Sequence, residues 1–580
     1  MRASVVRSTL LLGTVSFLGG CYSPYFAIAD NEPKPHPVLG QAEELREAKA
    51  FSAKSLVTLP PVTRESVPPE NRDQVFQEAR RASGNNTGEN GGRVMSLQDV
   101  RKRTLENNLS LKVARYNPSI SKAGYDRELS KFEQVFSLST TYGQTFDSTA
   151  RARATDSFTL TPSVNVPLRN GSSVTLSLPV SHTDSTPLAT VTKSIGTKLA
   201  VSVPLLRNAG TRFNTASIRS AGLAVRQADT QTKLEAITVL ANSEKAYWNY
   251  WAANENLRIQ VEQYELSQQQ LDVALKLVDE GVRTKVEATR AESGIAQRFT
   301  AVISAETTRR QTERSLKTFM NDPDMPVQSK TTIVPTTLPD PLGLTFNRDA
   351  VVELALTNRM ELLSNEIQLA IDRITVSNSR NQILPSVSFD FSYAFTGSQP
   401  TFRRAIKQIF RTAGNDYSLG LTASIPLAGN QAAKATLRES ILSLARTKAS
   451  RQVLDISIRE EVLNAIDAVE QNWQQILSNA NAVARADETY REEQEEFQQG
   501  FVTSTEVLEA LANLATARSN EVTSIRDYQN SVVDLAFATG TVLGSGGVVW
   551  TPLSEDFPEA ATLKPSYWNP RSELAYPPTQ

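Results

Sequence analysis

Two hydrophobic rhythms alternate along the chain. From 137 to 203, and again from 387 to 425, apolar residues tend to recur at every second position. Leu138, Thr140, Tyr142 and Phe146 share one face of 137–146, opposite Ser137, Ser139, Thr141 and Thr145. Phe158, Leu160, Val164 and Val166 line one face of 158–166, and Val174, Leu176, Leu178 and Val180 one face of 174–181. Leu199, Val201 and Val203 continue the pattern. In the second half it returns as Val387, Phe389, Phe391, Tyr393 and Phe395, then Tyr417, Leu419, Leu421 and Ile425. Period two predicts strands, and dyad segments of about ten residues, greasy on one face, are the pattern of transmembrane β-barrels. Asn170-Gly171 is a hairpin-turn signal. Six strands cannot close a wide pore alone. Closure by several copies is therefore expected, because lipid tolerates no open sheet edge.

Elsewhere the period lies between three and four. Leu240, Tyr247, Tyr250, Leu257, Val261, Tyr264, Leu271, Leu275 and Val278 fall in alternating steps of three and four before Gly281. Ile466, Trp473, Ile476, Val483, Tyr490 and Phe497 do so before Gly500. This spacing predicts long helices with coiled-coil-like seams. No proline interrupts the chain between Pro204 and Pro323 or between Pro426 and Pro552, and Gly281 and Gly500 are the natural turns. The expected long helices cover about 207–279 and about 430–498.

The two halves repeat one another. Ser96-Leu-Gln-Asp-Val matches Asn347-Arg-Asp-Ala-Val, Val203-Pro-Leu matches Ile425-Pro-Leu, and Gly281-Val-Arg-Thr matches Gly500-Phe-Val-Thr. Three anchors in one order indicate an internal duplication. The expected organisation is a first repeat at 93–324, a Pro-rich extended linker at 325–346, a second repeat at 347–541 and a Pro-rich tail at 542–580.

Composition narrows the chemistry. A net charge of −1 gives no field for nucleic acid. One cysteine and two histidines, His36 and His182, exclude a zinc finger, a disulfide framework and Ser-His-Asp catalysis. An enzyme is not expected, nor is a cofactor or a bound metal. No run of 18 apolar residues could form a spanning helix. The N-terminus instead carries Arg2 and Arg7, a short apolar run and Leu18-Gly19-Gly20-Cys21. This resembles the lipobox of bacterial lipoproteins. It implies a signal peptide at 1–20, acylation of Cys21 with palmitate, and an outer-membrane anchor facing the periplasm. The polar, Pro-rich stretch 21–92 reads as a largely disordered tether, with room for a short helix near 41–54.

The duplicated helix–strand–strand–long-helix–glycine-turn unit carries V/I-P-L before each long helix and Gly-x-x-Thr at each turn. It resembles the outer-membrane efflux protein family, the TolC family, in its lipoprotein branch. The resemblance spans about 93–541. It implies a mainly α fold with a membrane β-barrel part, built as a homotrimer with an α-helical periplasmic tunnel and one shared barrel. It also implies a passive outer-membrane channel, worked with a periplasmic adaptor (membrane fusion protein) and an inner-membrane pump. A trimeric coiled-coil or adhesin-like envelope protein without conduction is the alternative. The chain departs from the family in carrying the extra hairpin at 158–181, which would either widen the barrel or protrude. It also has Asn107-Asn108-Leu109 where the family has Asn-Asn-Pro.

The turns are the candidate site. Six residues past each glycine stands an acid, Glu287 and Glu506, and nine past stand Arg290 and Glu509. The resemblance gives Glu506 and Glu509 the narrowest rings of a periplasmic gate, where close like charges attract cations and raise one another's pKa. Glu287, Arg283 and Arg290 join them as candidates, because the family's tip arginine is Val502 here. Read without the resemblance, these acids are helix-start residues favoured by the dipole. Gly281, Val282, Thr284, Gly500, Phe501 and Thr503 are the candidate adaptor contacts.

Overall fold

The computed structural model describes Gln77 and residues 92–551, apart from 148–152, 187–189, 413 and 428. The chain separates into Met1–Pro69 and Glu70–Gln580. Cys21, the signal peptide, the 41–54 segment and tail residues 552–580 lie outside the described residues.

Strand β1 (Arg93–Met95) leads into α1 (Leu97–Asn107), α2 (Leu109–Ala114) and α3 (Tyr116–Leu129). Strands β2 (Val135–Asp147), β3 (Arg153–Pro167), β4 (Ser173–Ser177), β5 (Val180–Thr186) and β6 (Thr190–Pro204) follow. Next come α4 (Thr211–Asn214), α5 (Ala216–Asp279) and α6 (Lys285–Met320). After β7 (Ile333–Pro335), the second half runs α7 (Arg348–Asn358), α8 (Met360–Ile383), β8 (Ser386–Gln399), α9 (Phe402–Thr412) and β9 (Gly414–Ser424). It closes with α10 (Gln431–Gln499), α11 (Ser504–Ala538) and α12 (Val542–Ser545).

The duplication is visible in detail. Each half has one long helix, of 64 and 69 residues, about 96 and 104 Å at 1.5 Å per residue. Each is followed by a return helix beyond a left-handed glycine, Gly281 (φ +76) and Gly500 (φ +90). Each half also breaks its first helix at one residue, Asn108 (ψ 128) or Arg359 (ψ 124). Both residues reach the end of their own return helix. Asn108 Nδ2 donates to the Phe319 carbonyl at 2.9 Å, and Arg359 Nη1 to the Ala538 carbonyl at 3.2 Å. At Asn108, where the family has proline one residue later, the Asn108 side chain caps α2 through the Leu111 N–H.

Three boundaries differ from the expected ones. Helix α5 begins at Ala216 rather than 207, because Asn208 (φ +65) and Gly210 (φ +93) adopt left-handed conformations that no helix continues through. The linker is pinned: β7 pairs in parallel with β1, Arg93 opposite Ile333, and Met325 and Ile333 are buried. The tail begins later than 542, since Val542 and Leu543 bury themselves in the central cluster beside Leu240, Tyr247 and Leu316. The long seam holds from Leu240 to Tyr264. It then steps back one residue to Ser267, Gln270 and Ala274, leaving Leu275 exposed. Ala274 belongs to a separate cluster with Ala291, Tyr490, Phe497 and Leu511, so the partner helices there dictate the register.

All the strands except β1 and β7 form one sheet in the order β2-β3-β4-β6-β8-β9, with β5 also between β3 and β6. The 174–181 segment is two strands, because Pro179 lacks the N–H a ladder needs. The extra hairpin does not protrude: β3 and β4–β5 are laddered between β2 and β6. Its Asn-Gly turn docks at the helix end, where the Gly210 N–H donates to the Asn170 carbonyl at 3.0 Å. Gly171 there has φ +91 and no room for a Cβ. Register puts the greasy residues in rows across strands: Tyr142 with Phe158, Leu176 with Leu199, Leu199 with Tyr393, and Tyr393 with Tyr417. One sheet face therefore carries the apolar rows, with Asp156, His182, Asp184 and Lys193 toward its end far from the helices, and the other carries Thr159, Thr161, Ser202, Ser392 and Ser418. Helix α9, between β8 and β9, was not expected from the sequence pattern.

Candidate functional site: the paired hairpin tips

The two turns have the same local build. At the end of α5 the Gly281 N–H donates to the Val278 carbonyl and the Val282 N–H to Leu277. At the end of α10 Gly500 donates to Phe497 and Phe501 to Glu496. Both are glycine C-caps that use a positive φ. Thr284 and Thr503 then take extended conformations and open the return helices. The residue after each glycine projects into solvent: Val282, and Phe501 at 77% exposure.

The charged candidates divide into a clasp and a cluster. Glu287 is buried and joins the two repeats, its Oε2 accepting from the Ser504 N–H at 2.9 Å while Arg290 bonds its Oε1 at 3.0 Å. Its acid thus caps the other repeat's helix, as the dipole favours. Arg283 also crosses over, donating to the Val502 carbonyl, with its guanidinium 5.3 Å from the centre of the Phe497 ring. Arg283 thus reaches the backbone of position 502 from the opposite hairpin. Glu506 sits in a capping box with Thr503, its carboxylate accepting from the Thr503 N–H at 2.5 Å. Those bonds hold its carboxyl below the ordinary value. Within one protomer the Thr503 bonds outweigh the opposing effect of desolvation, and the Arg283 charge acts with them. Glu509 is exposed one turn later. Sequence reading passed over Glu493 on α10. Burial first, then the charges of Glu506, Glu496, Glu492 and Glu509, push its carboxyl up. The signal was present in Glu492-Glu493-Gln494-Glu495-Glu496, but only the fold turns it toward Glu506. Among the described residues no group of three or more His, Asp or Glu gathers as a metal site.

At the other end, β2 and β9 each have one unpaired edge in the protomer. The apolar face is bare there: Leu138, Tyr142 and Phe146 on β2, and Tyr417, Leu419 and Leu421 on β9, are all exposed. Residues 351–541 match the model of the family described as outer membrane efflux protein. Over that third of its length the chain is similar to the outer membrane efflux proteins. The outer membrane protein TolC of Vibrio cholerae serotype O1 is 23% identical over 347 residues, covering 57% of this chain and 74% of that protein. The outer-membrane channel OprN superposes with a TM-score of 0.60 at 15% identity, covering 77% of this chain and 90% of its own. The Campylobacter jejuni outer membrane channel CmeC gives 0.58 at 16% identity, over 80% and 88%. These likenesses establish that the duplicated helical hairpins and their sheet are the fold of outer membrane efflux proteins.

Proposed function

We propose that this chain is the outer-membrane channel of a tripartite efflux system, passive in itself, and that it works as a homotrimer. The observation carrying this is the sheet: one face with apolar rows running across β2, β3, β4, β6, β8 and β9, both edges unpaired, mounted on helical hairpins. Such a sheet is stable in lipid only when copies close it into a barrel. The hairpins then form the periplasmic tunnel, and the exposed Val282 and Phe501, with Gly281, Thr284, Gly500 and Thr503, receive the periplasmic adaptor, behind which stands the inner-membrane pump. Cys21 carries the lipid anchor on the periplasmic side. Purified in detergent, the chain should be a palmitate-labelled trimer that forms channels in planar bilayers. A stable monomer, or trimers without conductance, would instead favour a structural envelope protein, and label persisting in Cys21→Ser would remove the anchor.

The gate follows from the tip. Three copies bring Glu506, Glu509 and Glu493 around one axis, with Arg283, Glu287 and Arg290 bracing them from the first hairpin. Carboxylates in a narrow mouth attract cations. The Glu506→Gln/Glu509→Gln pair is expected to move the reversal potential in a salt gradient toward zero, while an unchanged value would make these acids caps alone. The cation preference should fade in two stages as pH falls, Glu493 losing its charge above the ordinary 4.5 and Glu506 only below it. The stability signs are opposite. Ionised Glu493 is unfavourable, and falling pH relieves it through the raised pKa. The Glu506 cap contributes above 4.5 and is lost as pH falls through the lowered pKa.

A further inference from the structure

The helix α9 lies beyond what a channel needs, since a tight turn would suffice between β8 and β9. Its eleven residues separate cleanly by side. Phe402, Ala405, Ile406, Ile409 and Phe410 fall on one arc, and Arg403, Arg404, Lys407 and Arg411 on the other. No acidic residue occurs between 391 and 415. Among the described residues no carboxylate forms an ion pair with any of the four cations.

Its position is fixed by contacts with the sheet. The Ala405 carbonyl occupies the space that any side chain at Gly397 would need, and Ala405 is fully buried. Gln408 Oε1 accepts from the Ser398 N–H at 3.1 Å and from Gln399 Nε2 at 3.0 Å. Lys193 Nζ lies 5.3 Å from the centre of the Phe402 ring. By strand alternation Gly397 shares the face of Phe389, Phe391, Tyr393 and Phe395, and Lys193, opposite Gln399, shares it too. The helix therefore rests on the apolar face, at the end of the sheet far from the tunnel helices. Only part of its own apolar arc is used there. Ile406 at 43% and Phe410 at 84% exposure remain bare, next to Arg403 and Lys407.

We propose that α9 is an interfacial helix docking on phosphate-bearing anionic lipid headgroups at the distal rim of the barrel. Ile406 and Phe410 enter the acyl boundary, and Arg403, Lys407 and Arg411 bind the phosphates above it. Two observations select lipid as the occupant. The bare strip continues the apolar face of the sheet, and the charge beside it is of one sign, as in helices that lie in an anionic surface. The inference rests on the barrel reading, so its test carries a control on the sheet.

The test places a reporter tryptophan in full-length protein reconstituted with acyl-brominated lipids, which quench tryptophan only on contact, with wild type giving the background. Leu419→Trp, on the apolar face, reports the barrel itself, and Phe410→Trp reports α9. Both are expected to be quenched. For Phe410→Trp, brominated phosphatidylglycerol should outcompete brominated phosphatidylcholine by about fivefold or more. Adding Arg403→Gln, Lys407→Gln and Arg411→Gln should bring that ratio to near one, and inorganic phosphate should not substitute for the lipid. A quenched Leu419→Trp with an unquenched Phe410→Trp overturns the proposal and leaves the barrel standing, as a contact with a neighbouring copy would. A headgroup ratio that survives loss of the three charges overturns the phosphate assignment. Neither site quenched means the barrel reading itself is wrong.

Discussion

Arginine at position 419 is expected to abolish assembly in the outer membrane, while arginine at the adjacent position 418 is expected to leave it intact. Leu419 stands on β9 opposite Phe391, on the apolar face, and is 64% exposed in the protomer. In a lipid-facing row an arginine near the bilayer midplane costs about 2–4 kcal/mol. The proposed trimer would meet that cost three times, on the edge strand where its copies would pair. Ser418 points the other way, its hydroxyl 2.8 Å from that of Ser392, on the polar face. A long cation there can extend into water. Heat-modifiable trimer in outer-membrane fractions is the readout. Equal yields from the two variants would show that the apolar face does not meet lipid.

Replacing Arg309 by methionine should give the largest loss of stability in the helical body. Arg309 is buried on α6 and grips Glu306 with Nε at 2.8 Å and Nη2 at 3.0 Å, and Glu313 with Nη1 at 2.8 Å. Lys317 completes the row, bonding Glu313 at 2.9 Å and donating to the carbonyls of Ser329 and Thr331. Glu313 in turn accepts from the Ile333 N–H at 3.3 Å. The network thus straps the Pro-rich link to α6. Deleting the central cation leaves buried Glu306 ion-paired only with Arg310 and buried Glu313 only with Lys317, a defect of about 3 kcal/mol. Arg309→Lys keeps the charge but loses the fork, so a smaller loss is expected. Faster amide exchange across 329–337 and an earlier helix melt would register the loss. A methionine variant matching wild type in both would mean the strap is held by packing alone.

How much of this was legible in the chain depended on whether the signal was local. Glycine turns, proline-free helices and alternating strands are local, so Gly281, Gly500 and the rows around Tyr393 were readable. The strap around Arg309 was not, because Glu306, Arg309, Glu313 and Lys317 have the spacing of any solvated helix face. Only the burial of that face by the link makes it a core. Helix α9 was missed for a different reason: eleven residues between two strands read as a loop unless their charges are placed on a helix. At the tips the pattern set Glu287, Arg283 and Glu506 beside the two glycine turns, and that is where they stand. Glu506 caps its own helix at Thr503, but what Glu287 and Arg283 reach lies in the other repeat, more than 200 residues away, and no spacing rule reaches that far.

In the proposed channel the clasp at the tips sets how the mouth can widen. Glu287 bonding the Ser504 N–H and Arg283 bonding the Val502 carbonyl rivet the two hairpins of one chain together at their ends. Below them Ala274, Ala291, Phe497 and Leu511 share one core. In the proposed trimer each subunit would therefore swing as a single lever, and dilation would be confined to the three seams between copies, like a three-leaved iris and not a six-leaved one.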